Sequence, residues 1–289
     1  MVCEHKGRFR KPNVEGEGLG VENNKRRIVE DLIYRNRNNM NVIAGEYFGN
    51  KYTYQQTFKM IENYKKAFIE VDGLNENTIT ISAPSTIASV NAFYGAIDAN
   101  KIVSMTGPGF LHEYTEKYTK DLNCQTVFIF DSFLNNELVM KMHKSGVKNV
   151  IVTSIKNYMN PIVKHIATWK GLISRHDFLD EYVQNIGAFP QGMNVIRLEE
   201  FEQIGIKSNA EYNFAYEKNK IAAYFLTGAT TSHLPKCVKL YADGITRMAQ
   251  IYDQMWFDFG VGDRNTVFIP LFYATGAIHG VHAGLISGA

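Results

Sequence analysis

The amino-acid sequence predicts an α/β protein in which a parallel sheet is flanked by helices. Apolar runs at residues 124–130, 147–153 and 221–226 are continuous rather than alternating, as strands covered on both faces require. Segments with apolar residues three and four apart lie among them, so strand and helix alternate along the chain. The 289 residues are 45% hydrophobic and include 18 Phe and 16 Tyr, enough for a large core.

Residues 1–24 read as a polar leader, because their basic groups are not followed by the apolar run of a secretory signal. Residues 25–37 are charged and helical in character. Two short strands follow at 42–44 and 47–54, joined at Gly45 and Glu46. Phe58, Ile61, Tyr64, Ala67, Phe68 and Val71 keep helical spacing over 55–71, and Asp72 with Gly73 ends the helix. The β-branched run 78–83 is a strand, and Pro84 and Ser85 open a helix to about Ala99. Residues 101–105 form the next strand, with Gly107, Pro108 and Gly109 as its turn. Helices over 112–122 and 134–144 alternate with strands over 124–130 and 147–153. Between residues 155 and 210 the alternation lapses at Pro161 and Pro190; with helices only at 177–186 and 198–201, this reads as an irregular connector or insertion. Strands over 221–226 and 237–240, a helix over 243–255 and a buried strand over 266–271 follow.

From Thr266 to the end there is no charged residue, and Gly276, Gly280, Gly284 and Gly288 recur every fourth position, a spacing used by paired membrane helices. A helix over 274–289 would span only about 24 Å, short of a hydrocarbon core of roughly 30 Å. A buried helix lying on a sheet is the expectation, with no stable membrane span.

Thirty-one Lys and Arg against 29 Asp and Glu leave a net charge of +2, too small to advertise a nucleic-acid partner. Cys3, Cys124 and Cys237 are scattered and odd in number, which argues against a disulfide framework or a structural zinc and for a reducing, cytoplasmic setting.

The strongest chemical signal follows the strand at 221–226. Thr227, Gly228, Ala229, Thr230, Thr231, Ser232, His233, Leu234, Pro235 and Lys236 combine small residues, hydroxyls and an amine. Small residues let backbone N–H groups converge on an anion, hydroxyls add donors and a lysine adds charge, which is what phosphate oxygens need. The nucleoside-triphosphate P-loop does not fit, because Pro precedes Lys236 and Cys237 follows it.

This run resembles the signature loop of the adenylate-forming ligase superfamily, which includes acyl-CoA synthetases, peptide-synthetase adenylation domains and luciferases. Thr227, Gly228, Thr230, Thr231, Pro235 and Lys236 fall on the pattern. Ala229 and Ser232 stand where the family has Gly, Cys237 replaces the Gly after the Lys, and His233 with Leu234 puts two residues where one is usual. Tyr47 to Gly49 with Tyr52 to Tyr54 resemble its early strand pair, and Asn91 to Ile97 its helix ending in Gly-Ala. Ile269, Pro270, Leu271, Phe272, Tyr273 and Gly276 resemble the stretch near its acyl pocket, with Tyr273 in place of the usual His.

The resemblance implies a carboxylic acid, fatty or otherwise acyl, attacking ATP with Mg²⁺ present, to give an acyl-adenylate and then a CoA thioester. ATP would be held by Thr227, Gly228, Ala229, Thr230, Thr231, Ser232 and Lys236, and the acid by Phe272, Tyr273 and Gly276. No residue is carried over as catalytic or as a metal ligand. The family's later acidic motif, ribose-binding Asp, hinge and C-terminal domain with its Lys have no counterpart before Ala289. Residues 25–289 therefore read as a truncated AMP-binding N-terminal domain, with the C-terminal domain absent and little activity expected of this chain alone. The altered loop leaves a non-catalytic nucleotide-binding relic or scaffold as one alternative. An amino-acid-activating adenylation domain is another.

Other candidates read as structure. His279 and His282 share a helical face among apolar residues, as satisfied core histidines do. GEGLG at residues 16–20 lacks dinucleotide-motif spacing. Asp177, Glu181, Glu199, Glu200 and Glu202 read as a solvated face, and Cys237 as a buried inert thiol. GxSxG is absent, so a serine hydrolase finds no support.

Overall fold

A computed structural model describes residues 25–174, 178–227, 235–256 and 260–289. Helix α1 (Ile28–Arg35) leads into a hairpin of β1 (Ile43–Tyr47) and β2 (Asn50–Thr53). Its turn lies at Phe48 and Gly49, both at positive φ of 43° and 86°, and not at Gly45 and Glu46 as the sequence suggested. A two-residue turn of that hand matches the strand twist, and Tyr47 consequently pairs with Asn50. Thr53 and Gln56 then form a reciprocal capping box, Gln56 N–H to Thr53 Oγ1 at 3.2 Å and Thr53 N–H to Gln56 Oε1 at 2.9 Å, which starts α2 (Tyr54–Asp72).

The main sheet contains β3 (Thr78–Ser82), β4 (Ile102–Met105), β5 (Cys124–Phe130), β6 (Asn149–Thr153), β7 (Asn194–Arg197), β8 (Ile221–Leu226) and β9 (Cys237–Tyr241). Their spatial order is β7-β6-β5-β3-β4-β8-β9, all parallel except β9, which runs antiparallel to β8. Strands β3 to β7 follow the doubly wound order 2-1-3-4-5, in which the chain crosses to the other side of β3 after β4. Helix α3 (Ile87–Asp98) and α8 (Leu198–Lys207) therefore cover one face with α2, through Ile97, Leu198, Phe201 and Phe68. Helices α4 (Pro108–Asp121), α5 (Asn136–Lys144) and α7 (Phe178–Ile186) cover the other, through Leu111, Leu138 and Leu179.

The structure differs from the sequence expectations in four further places. Pro108 is the first residue of α4 behind Gly107, so the expected turn is a helix entry. Residues 155–210 are not an irregular connector throughout: they contain α6 (Pro161–Trp169), α7, β7 and α8, and β7 extends the sheet beside β6. The expected strand at 266–271 does not form. Phe268 is 83% exposed, and Pro270 lacks a ladder N–H, so this segment runs as irregular chain. Finally, the terminal apolar segment is a π-helix over Gly276–His282 continued by α10 (Ala283–Ser287), and it packs on α1 and α9 (Ala242–Trp256) rather than on the sheet. Among the described residues, no helix is long and apolar enough to cross a membrane.

Candidate nucleotide site

In a parallel sheet the carboxyl ends of the strands share one edge, where α/β proteins place their ligands. Here that edge carries the turns after β3 and β4 and the chain leaving β8. Thr227 is the first residue beyond β8, and its N–H donates to the Lys236 carbonyl at 2.9 Å. In return the Lys236 N–H donates to Thr227 Oγ1 at 3.0 Å. Two of the sequence-predicted phosphate ligands are thus brought together as the mouth of a loop. Thr227 is half-buried, and Lys236 is exposed. Gly228, Ala229, Thr230, Thr231 and Ser232 lie outside the described residues, as do His233 and Leu234. Because the Thr227 amide closes the loop, its hydroxyl proton is what remains to donate to an anion.

The loop base is anchored from α4, whose Tyr118 hydroxyl donates to the Pro235 carbonyl at 2.7 Å. The same helix meets the other predicted group at its start. A Cβ on Gly107 would stand 3.3 Å from two carbons of the Phe272 ring, so the missing side chain lets the aromatic lie over the helix entry. Tyr273 lies beside Phe272, ring centres 4.9 Å apart, and is exposed. Gly276 is buried, and a Cβ there would fall 2.3 Å from the Pro270 carbonyl oxygen and 2.6 Å from that of Ile269. Its smallness is used against the protein's own backbone. The Ser85 hydroxyl, in the turn after β3, donates to the Ile269 carbonyl at 3.3 Å and fixes the same segment.

A cleft of about 920 Å³ opens beside this region, between the β1–β2 hairpin, the start of α3, residues 262–267 and the π-helix. Its wall includes Ser85, Thr86, Asn91 and Arg264, and none of the predicted site residues. No signal in the sequence pointed to it, because its lining comes from four separated segments.

The remaining candidates resolve as follows. His282 is fully buried, and its Nδ1 is hydrogen-bonded with the Tyr94 hydroxyl at 3.0 Å, while Nε2 finds no hydrogen-bond partner among the described residues. Burial, with the Arg35 charge adding, pushes its pKa down to about 3, so the ring is neutral. His279 stacks on Tyr252 at 4.2 Å, and partial burial lowers its pKa. Glu202 corrects the solvated-face reading: it is half-buried and accepts hydrogen bonds from Tyr64 at 2.9 Å and from Tyr158. Burial raises its pKa, and those two hydroxyls offset part of the rise. Glu181, Glu199 and Glu200 are exposed as expected, and Asp177 lies outside the described residues. Cys237 is half-buried, with its thiol pKa raised by burial, which disfavours the reactive thiolate. No group of three His, Cys, Asp or Glu able to hold a metal exists among the described residues.

A doubly wound sheet with Thr227 and Lys236 paired at its carboxyl edge defines an α/β protein with a candidate ligand-binding loop. The model of the AMP-binding enzyme family matches residues 33–289, and the chain belongs to that family. It is 26% identical over 216 residues to a long-chain-fatty-acid–CoA ligase of Bacillus subtilis (strain 168), covering 73% of this chain and 36% of the ligase. Among solved structures it resembles the anthranilate CoA ligase AuaEII in complex with anthranoyl-AMP, at a TM-score of 0.69 and 13% identity, over 91% of this chain and 44% of that one. The apo structure of Mycobacterium smegmatis MbtA is similar at the same TM-score and identity, over 92% and 43%. The chain thus spans about a third of the curated relative and less than half of these solved chains.

Proposed function

We propose that this chain carries the ATP-phosphate half of a site that joins a carboxylic acid to AMP and then to the thiol of CoA. The observation that carries the reading is the loop mouth at the end of β8, where the Thr227 N–H donates to the Lys236 carbonyl and the Lys236 N–H donates to Thr227 Oγ1 at the carboxyl edge of the sheet. Attack of a carboxylate oxygen on the α-phosphorus forms the acyl–phosphate bond and breaks the α–β bridge, and the electron pair leaves on pyrophosphate. Negative charge therefore grows on the departing oxygens. An exposed Lys236 ammonium and the Thr227 O–H are suited to oppose it, and donors fixed before the reaction contribute most. Mg²⁺ would supply further charge neutralisation on the phosphates. The described residues offer it no group of three His, Cys, Asp or Glu. Phe272 and Tyr273, with ring centres 4.9 Å apart, are the groups offered to the acid, an aromatic surface that can pack on an acyl chain.

Equilibrium binding of ATP tests the reading. Lys236→Ala should weaken ATP affinity at least about tenfold, the loss of one charge-assisted contact to phosphate. Unchanged affinity would remove the loop from the site. A second reading, a nucleotide-binding scaffold without chemistry, is favoured by the Thr227 amide already being spent on Lys236. Acid-dependent ATP–pyrophosphate exchange by the chain would exclude it.

A further inference from the structure

The peptide unit joining Pro235 to Lys236 is held at both ends. Its carbonyl accepts the Tyr118 hydroxyl at 2.7 Å, and its N–H donates to Thr227 Oγ1 at 3.0 Å. The next unit is fixed as well, because the Lys236 carbonyl accepts the Thr227 N–H at 2.9 Å. A peptide unit is planar, so restraining both its oxygen and its nitrogen restrains the torsions on either side of it. Those torsions set the direction in which the Lys236 Cα–Cβ bond leaves the chain. Thr227 supplies its restraints from across the loop mouth, whereas Tyr118 supplies its own from 117 residues away. Proline has no N–H, so its carbonyl is the main-chain group through which Pro235 can be held.

Tyr118 reaches that carbonyl from a firm support. Leu111, Thr115 and Tyr118 follow one another at four and three residues along α4, and the first two are buried. The Tyr118 ring meets Tyr114 edge-on, with ring centres 6.0 Å apart. Burial is the chief cause that raises the Tyr118 pKa above the ordinary tyrosine value, so its hydroxyl keeps its proton and donates. Lys236, by contrast, is exposed. An ammonium on a flexible four-carbon stem brings charge without a fixed geometry, and ordering that stem on a ligand costs entropy. Setting the direction of the stem before the ligand arrives removes part of that cost.

We propose that Tyr118 is a positioning residue of the phosphate site, acting through the Pro235 carbonyl to aim Lys236 at the phosphates of ATP. The proposal rests on the reading of Thr227 and Lys236 as phosphate ligands.

A double-mutant cycle in ATP affinity, measured on the full chain with Tyr118→Phe, Lys236→Ala and the two combined, tests it. Tyr118→Phe deletes the hydroxyl and keeps the ring that lies against Tyr114. Alone it should weaken ATP binding about threefold or more, the effect of one lost hydrogen bond. Added to Lys236→Ala it should change nothing further, because the side chain that Tyr118 aims is gone. A role confined to holding the fold together would instead weaken ATP binding by the same factor in both backgrounds. That result, or full affinity in Tyr118→Phe where Lys236→Ala is impaired, would overturn the proposal and leave the loop as the phosphate site. Full affinity in Lys236→Ala would remove the loop reading and this proposal with it.

Discussion

His282 shows how one buried side chain can govern the response of the terminal helix to acid. Its folded pKa of about 3 lies below the ordinary histidine value near 6.5, so between those limits the unfolded chain takes up a proton that the native chain refuses. More protons bound in the unfolded state means that stability rises with pH in this window and is lost as pH falls. The slope from this residue approaches about 1.4 kcal/mol per pH unit at most. His282→Gln keeps a partner for the Tyr94 hydroxyl and removes the titration. Denaturant midpoints at pH 5 and pH 8 should therefore converge in the variant relative to the wild type. An equal pH dependence in both would show that His282 is not the group held neutral. The sequence marked His282 as core, and that much follows from its apolar neighbours. Its one satisfied nitrogen could not be read, because Tyr94 is 188 residues away.

Among the elements, those whose signal is local were legible and those set by distant packing were not. β5 and β8 have the bounds expected, since an unbroken apolar run between polar turns leaves little choice of register. β7 was missed because only Ile196 of its four residues is fully buried, as befits an edge strand, and two prolines obscure the approach to it. The hairpin turn was misplaced because Gly45 attracts the assignment, whereas the positive φ values fall on Phe48 and Gly49. Gly45 is instead pressed on by Ile87, 3.2 Å from where a Cβ would be. The crossing of α2 and α8 is another case that sequence does not display. A Cβ on Gly205 would stand 1.9 Å from the Asn63 carbonyl oxygen, so the two helix backbones touch directly there. Gly205→Ala gains at most about 1 kcal/mol of helix propensity and incurs roughly 1–3 kcal/mol of overpacking. A net loss of stability is expected, read as a lower denaturant midpoint; an unchanged or higher midpoint would show that the helices separate freely.

For the molecule as a whole, the sheet order places β8 directly beside β4, so the loop after β8 opens at the same edge as the turn before α4. That placement explains how Thr227 and Lys236 on one side, and Phe272 on the other, come to share α4 as their support. The sequence singled out the loop from its residue types and Phe272 from a family resemblance, yet showed neither the helix joining them nor the 920 Å³ cleft alongside. Limited proteolysis within the segment from Thr227 to Lys236, with and without ATP, is the decisive measurement for the phosphate loop. ATP should slow cleavage there in the wild type and leave cleavage in Lys236→Ala unchanged. Equal cleavage of the wild type with and without ATP would contradict it.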